Sequence, residues 1–247
     1  MLFGYLLRMA DTGLILSQRL GEWCGHGPVL EEDIAVTNVA LDLLGQARLW
    51  YAYAADVEGK GRTEDDLAFF RDATEFHNLL LVEQPNGDFG VTMARQFYFD
   101  AWHVEVLRAL ENSADERMRG IAGKARKEAA YHLERSTDWV IRLGDGTEES
   151  HRRIRAGTDL LWRYTGEMFE MDELDREMVA AGIGADLAAL RSPWMARVTQ
   201  AFEEATIPVP EGTWMQTGGK RGQHTEKLGY ILAEMQHMQR TYPGCTW

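Results

Sequence analysis

The stretch KEAAYHLERS, residues 127–136, carries the residue types of a metal-binding helix in an altered order. Helices that hold two carboxylate-bridged irons use Glu-x-x-His, because residues three apart share a face and reach one ion together. Here Glu128 meets Tyr131 at the third position, and the imidazole comes one residue later at His132. At about 100° of turn per residue, that step places the ring about 100° from the position that Glu-x-x-His would give it.

Three further acids sit in apolar surroundings: Asp42 in ALDLLGQ, Asp72 in FFRDATEF and Asp100 in YFDAWHV. Asp42 and Asp72 are 30 positions apart (72 − 42), and Asp100 and Glu128 are 28 apart (128 − 100). Two helix pairs, each offering an acid at half-height, form the skeleton of a ferritin-like di-iron bundle. A complete site takes four carboxylates and two histidines, with Glu-x-x-His on two of the helices. That combination fails here. Asp72 has Glu75 three places on, and His77 and His132 are rotated off the required face. Asp100 does have His103 at the third position, but on a helix that should offer a lone acid. Aspartate is also one methylene shorter than glutamate. The set Asp42, Asp72, Glu75, Asp100, His103, Glu128, Tyr131 and His132 therefore reads as a degenerate site. Phenol and carboxylate both bind iron, so spacing alone leaves metal open. The other use of such acids is a polar core, ion-paired with Arg48, Arg71, Arg95 or Lys127.

Two literal Glu-x-x-His matches, Glu148–His151 and Glu234–His237, lack a four-helix context; the first opens a helix beside two arginines and reads as surface. No Gly-x-Ser-x-Gly, phosphate-binding P-loop or strand-associated Gly-x-Gly-x-x-Gly occurs. One basic, glycine-rich stretch, TGGKRGQHTE at 217–226, precedes a helix. Lys220, Arg221 and His224 could contact an anion or a partner loop there. Otherwise the stretch is the approach to a helix capped near Gln223 or Thr225.

Positioning these residues requires long helices, and helical periodicity runs through almost the whole chain. It predicts helices over about 6–23, from Pro28 to Glu58 with Ile34, Leu41, Leu44 and Trp50 on one face, and from a Thr63/Asp66 capping box to Gln84. Others follow over about 89–111, from a Ser113/Glu116 box to Leu143, and from Thr147 to Phe169. Shorter pieces cover about 172–181, 185–190 and 193–205, and after a loop from Thr206 to Gly222 a last helix spans 224–241. The expected architecture is all-α: one ferritin-like domain over 1–247, with a core bundle at about 28–143 and flanking helices at 6–23 and 147–241. Most of Trp23, Trp50, Trp102, Trp139, Trp162, Trp194, Trp214 and Trp247 should be core.

A net charge of −13 speaks against general nucleic-acid binding, which needs clustered cations. No uncharged apolar run of membrane-spanning length occurs. The two cysteines, Cys24 and Cys245, have no paired spacing and suit a reducing, cytoplasmic setting.

Four stretches carry a family resemblance: RLGEWCGHGPVLEEDIAVTNVALDLLGQARLW, NLLLVEQPNGDFGVTMARQFYFDAWHV, KEAAYHLERSTDWVIRLGDGT and TGGKRGQHTEKLGYILAEMQHMQRTYPG. Together they resemble the C subunits of bacterial phenylacetyl-CoA 1,2-epoxidases over nearly the entire chain. The resemblance implies a ferritin-like fold within a multicomponent monooxygenase of aerobic phenylacetate degradation. A related A subunit would hold the di-iron centre and phenylacetyl-CoA, and a reductase carrying FAD and a 2Fe–2S cluster would deliver electrons from NADPH. The C subunit would be non-catalytic, carry no cofactor and maintain the A subunit, so no catalytic residue is carried over. The rival expectation is a di-iron or mixed-metal oxidase acting alone through Asp42, Asp72, Glu75, Asp100, His103 and Glu128. A third is a structural homodimer.

Overall fold

The computed structural model describes residues 1–212 and 214–245, and among them it contains ten α-helices and no strand. The chain forms two compact units, Met1–Pro85 with Thr217–Trp247, and Asn86–Gln216.

In the first unit α1 (Leu2–Gly21) packs along α2 (Leu30–Glu58). Leu6, Ala10 and Leu14 on one helix and Val39, Leu43 and Trp50 on the other are buried. Gly13 faces α2, where an added Cβ would make ordinary contact with the Leu43 carbonyl oxygen at 3.4 Å and with Ala47. Acids at Glu31, Glu32 and Asp33 favour the positive end of α2, and Gly59 closes it in the left-handed conformation. The Thr63/Asp66 capping box opens α3 (Glu64–Phe69) as its spacing predicts.

The expected continuation of α3 to Gln84 does not form: the helix ends at Phe69, and Ala73–Glu75 make a 3-10 turn. Side chains take over the backbone groups that a longer helix would use. The Arg71 guanidinium donates to the carbonyls of Leu67 (2.6 Å) and Glu75 (2.7 Å), and the His77 amide donates to Asp11 (2.7 Å). Gln236 reaches the carbonyls of Ala68 and Arg71, and Arg240 those of Phe69 and Arg71. These last donors come from the C-terminal helix, which is broken at Gln236 into α9 (Glu226–Met235) and α10 (His237–Thr241). Satisfying the orphan carbonyls of α3 and docking the chain's end are one event.

In the second unit α4 (Phe89–Leu110) is buried on nearly all sides, while α5 (Glu116–Gly144) is amphipathic. Asp115 caps α5 by accepting from the Met118 amide, a role the sequence pattern assigns to Ser113, two residues earlier. Thr147 caps α6 (Glu148–Trp162), which stops short of the expected Phe169 because residues 163–169 tighten into turns and a 3-10 segment. α7 (Glu173–Ala180) and α8 (Arg191–Glu204) follow, and in place of the short helix expected at 185–190 only residues 187–190 form a turn. Tyr98, Trp162, Trp194 and Phe202 interlock around α4. Each buried indole of this unit finds a carbonyl: Trp102 on Met168, Trp162 on Gly212 and Trp194 on Tyr98. Trp50 is also core, Trp23 and Trp139 are half-buried, and Trp214 is exposed. Trp247 lies outside the described residues.

Asp11, fully buried, joins three parts of the first unit. It accepts from Tyr51 of α2 (2.5 Å), from both terminal nitrogens of Arg71, and from the His77 amide. Removing one member of a buried ion pair strands the other charge. Asp11→Ala should lower the unfolding free energy by about 3–5 kcal/mol and Tyr51→Phe by about 1 kcal/mol, as read from urea denaturation. A cost for Asp11→Ala no larger than that for Tyr51→Phe would refute this role.

Candidate functional site

The candidate acids occupy quite different settings. Asp42 lies half-buried on α2. Asp72 is exposed; it precedes the 3-10 turn and accepts from Arg240 at 2.9 Å. Glu75, also exposed, caps the same turn by accepting from the Asp72 amide at 2.8 Å. The expectation that Asp72 stands mid-helix in a bundle core is therefore corrected, since the helix that would have held it ends three residues earlier.

In the second unit Asp100 of α4 is fully buried. Its Oδ1 accepts from Gln96 Nε2 at 2.7 Å, and its Oδ2 from Ser136 Oγ of α5 at 2.8 Å. His132, buried on α5, faces this group closely enough to favour the Asp100 charge and disfavour that of His103. His103 packs on Phe99 with ring centroids 4.8 Å apart and lies nearly parallel to Trp102. Glu128 is half-buried, and Tyr131 points outward with 60% of its surface exposed.

Among the described residues no three His, Cys, Asp or Glu side chains come together in a way that could hold a metal ion. Both oxygens of the most buried candidate acid are already engaged by neutral donors of the chain. These residues do not fit a two-iron centre. The ion pairs expected for a polar core are also differently distributed: Arg48 pairs with Glu64, Arg71 with Asp11, and Arg95 donates to Asn86. The remaining Glu-x-x-His matches stay apart from this group. Glu148 is exposed and His151 bonds the Gly144 carbonyl; Glu234 and His237 flank the break between α9 and α10 on the surface.

The glycine-rich stretch is a strap held against residues 74–83. A Cβ at Gly219 would strike the Asn78 carbonyl, and one at Gly222, where φ is +75°, the Thr74 carbonyl. Lys220 is buried, and His224 directs Nδ1 to Glu83 (2.9 Å) and Nε2 to the Phe76 carbonyl (2.8 Å). Glu83, itself fully buried, also accepts from the Thr225 amide at 2.7 Å and from Asn78. Lys220 and His224 are thus turned inward, leaving Arg221 as the exposed member of the expected anion-contact trio. Sequence reasoning missed Asp11, Tyr51 and Glu83. Their one available signal was a charge inside an apolar run, as at Asp11 among Leu6, Leu7, Leu14 and Ile15, since such a charge must find a partner.

An all-helical chain with long paired helices and acids at their centres is of the ferritin-like class. Residues 1–247 match the family model described as "Phenylacetic acid catabolic protein", and the chain belongs to that family. It is 51% identical over 246 residues to the C subunit of the 1,2-phenylacetyl-CoA epoxidase of Escherichia coli (strain K12), a match that covers 100% of this chain and 99% of the relative. The resemblance read from the four stretches is upheld.

Burial raises the Asp100 pKa from its ordinary 3.8 to about 6, against the opposing pull of His132, Ser136 and Gln96. Between those values the folded chain keeps a proton that the unfolded chain has released, so the Asp100 contribution falls as pH rises through this window. The full loss is about 3 kcal/mol. His103, pushed by burial to about 3, contributes in the opposite sense: its stabilisation is lost as pH falls below the unfolded value near 6.5. Comparing wild type with Asp100→Asn cancels the His103 contribution. Denaturation at about pH 4 and about pH 7 should show the variant gaining up to about 3 kcal/mol on wild type at the higher pH. A pH-independent difference would contradict the assignment.

Proposed function

We propose that this chain is the non-catalytic structural subunit of a cytoplasmic, multicomponent di-iron monooxygenase that epoxidises phenylacetyl-CoA. It binds and stabilises a homologous catalytic subunit, which holds the iron and the acyl-CoA. A reductase with FAD and a 2Fe–2S cluster supplies electrons from NADPH to that subunit. The observation that carries this reading is the state of Asp100. A buried carboxylate at the centre of a core helix, where oxygen chemistry would need a metal ligand, accepts from the neutral donors Gln96 and Ser136, and no three possible ligands gather around it among the described residues. The similarity to the C subunit of the E. coli epoxidase supports the same reading, as does the scatter of the other candidate ligands. The stabilisation is mass action: a protein that binds only the folded catalytic subunit favours that fold.

Elemental analysis of the purified chain tests the reading directly. Substoichiometric iron, unchanged in Asp100→Ala and Glu128→Ala, is expected. About two irons per chain, lost in those variants, would instead establish the chain as an oxidase in its own right. Expression of the catalytic subunit with and without this chain supplies the second measurement: its soluble yield should fall several-fold when the chain is omitted. A catalytic subunit that is stable and turns over alone would refute the structural role.

A further inference from the structure

The helix α2 is apolar on two sides, and the chain covers only one of them. Val36, Val39, Leu43, Ala47 and Trp50 are buried. Leu30, Ile34, Leu41 and Leu44 are 72%, 51%, 59% and 40% exposed. At about 100° per residue these four fall within roughly 80° of arc and extend along about 21 Å of helix. Isolated exposed apolar residues are ordinary on a protein surface, whereas a contiguous row is not. On the other helices of the described residues, exposed large apolar side chains come singly, as with Leu160 on α6 and Tyr230 on α9. The row runs into a groove of about 380 Å³ between α2 and α3, lined by Leu14, Leu44, Ala47, Tyr51 and Phe69.

Resting on the function proposed above, we infer that this row and groove are the docking face for a helix of the catalytic subunit, one with an apolar ridge flanked by Lys or Arg. The shape selects a helix: a strip this narrow and long is the footprint of one helix lying along another. At Gly45, beside Leu41 and Leu44, an added Cβ would meet nothing within 4 Å, which leaves an opening for a ridge to enter. Charge selects the flanks. Glu31 and Asp42 border the row, and Asp65 borders the groove, where Arg48 and Glu64 pair with each other at 3.2 Å. A basic partner surface complements this border, whereas a second copy of the same face would set acid against acid.

Co-expression with a tagged catalytic subunit tests the inference. Wild type should be recovered with the tag in near-equal amount, as should Leu160→Asp and Tyr230→Asp. The triple variant Ile34→Asp/Leu41→Asp/Leu44→Asp should be recovered at least about tenfold less, with its own thermal unfolding intact because all three side chains are exposed. Should the triple variant unfold, Asp42→Asn/Asp65→Asn provides the independent reading. It should dissociate from the immobilised complex several-fold faster at low salt and lose the salt dependence of wild type. Recovery of the triple variant at the wild-type level, or unchanged dissociation of the neutralised variant, overturns the inference and leaves the proposed function standing. Failure of wild type itself to be recovered overturns both. A wild-type homodimer that the triple substitution dissociates, with recovery of the catalytic partner unchanged, would assign the face to a second copy and also overturn it.

Discussion

A single buried carboxylate organises the first unit. Asp11 sits on the buried side of α1 and cannot remain there charged without partners. It finds them in Tyr51 on the neighbouring helix, in the Arg71 guanidinium and in the His77 backbone amide. Arg71 in turn lies over the Phe76 ring, 4.3 Å from its centroid, and bonds carbonyls on either side of itself. These demands set where α3 stops, what shape the following segment takes and which carbonyls remain for the C-terminal helices to cap. Burial, followed by the Asp11 charge, holds the Tyr51 phenol well above its ordinary pKa, so the hydroxyl stays a donor.

The second unit places its polar groups differently. Around Asp100 the partners are an amide and a hydroxyl, and the nearby imidazole of His103 is kept neutral by burial. Each oxygen accepts one hydrogen bond from a neutral donor, and among the described residues no three His, Cys, Asp or Glu side chains gather to hold an ion with it. The glycine-rich strap shows the same economy in the first unit. Its glycines serve close backbone approach, and its histidine serves the Glu83 carboxylate, so a stretch with the composition of an anion site is an internal fastening. On the outside, the apolar row of α2 is left uncovered by the rest of the chain.

Helix periodicity and capping residues make most of the architecture legible in the chain itself. Thr63, Thr147 and the acids opening α2 act locally, within one turn, and local effects can be read from local sequence. The end of α3 is not legible, because apart from Arg71 the groups that replace its helical bonds come from Asp11, Gln236 and Arg240, far away in the chain. Likewise the apolar positions Ile34, Leu41 and Leu44 are legible as a face, but not as a face left uncovered, since periodicity records that a helix has an apolar side and not what lies against it.

The sequence by itself determined the all-helical class, the family and the lack of an imidazole three places after Asp72 or Glu128, because composition, periodicity and i,i+3 spacing are properties of a chain alone. Tertiary structure alone decided that Asp72 lies on the surface, that Asp100 is closed by Gln96 and Ser136, and that His224 faces Glu83. Each of those outcomes depends on which distant groups folding brings within hydrogen-bond reach, and desolvation then makes every such pairing obligatory.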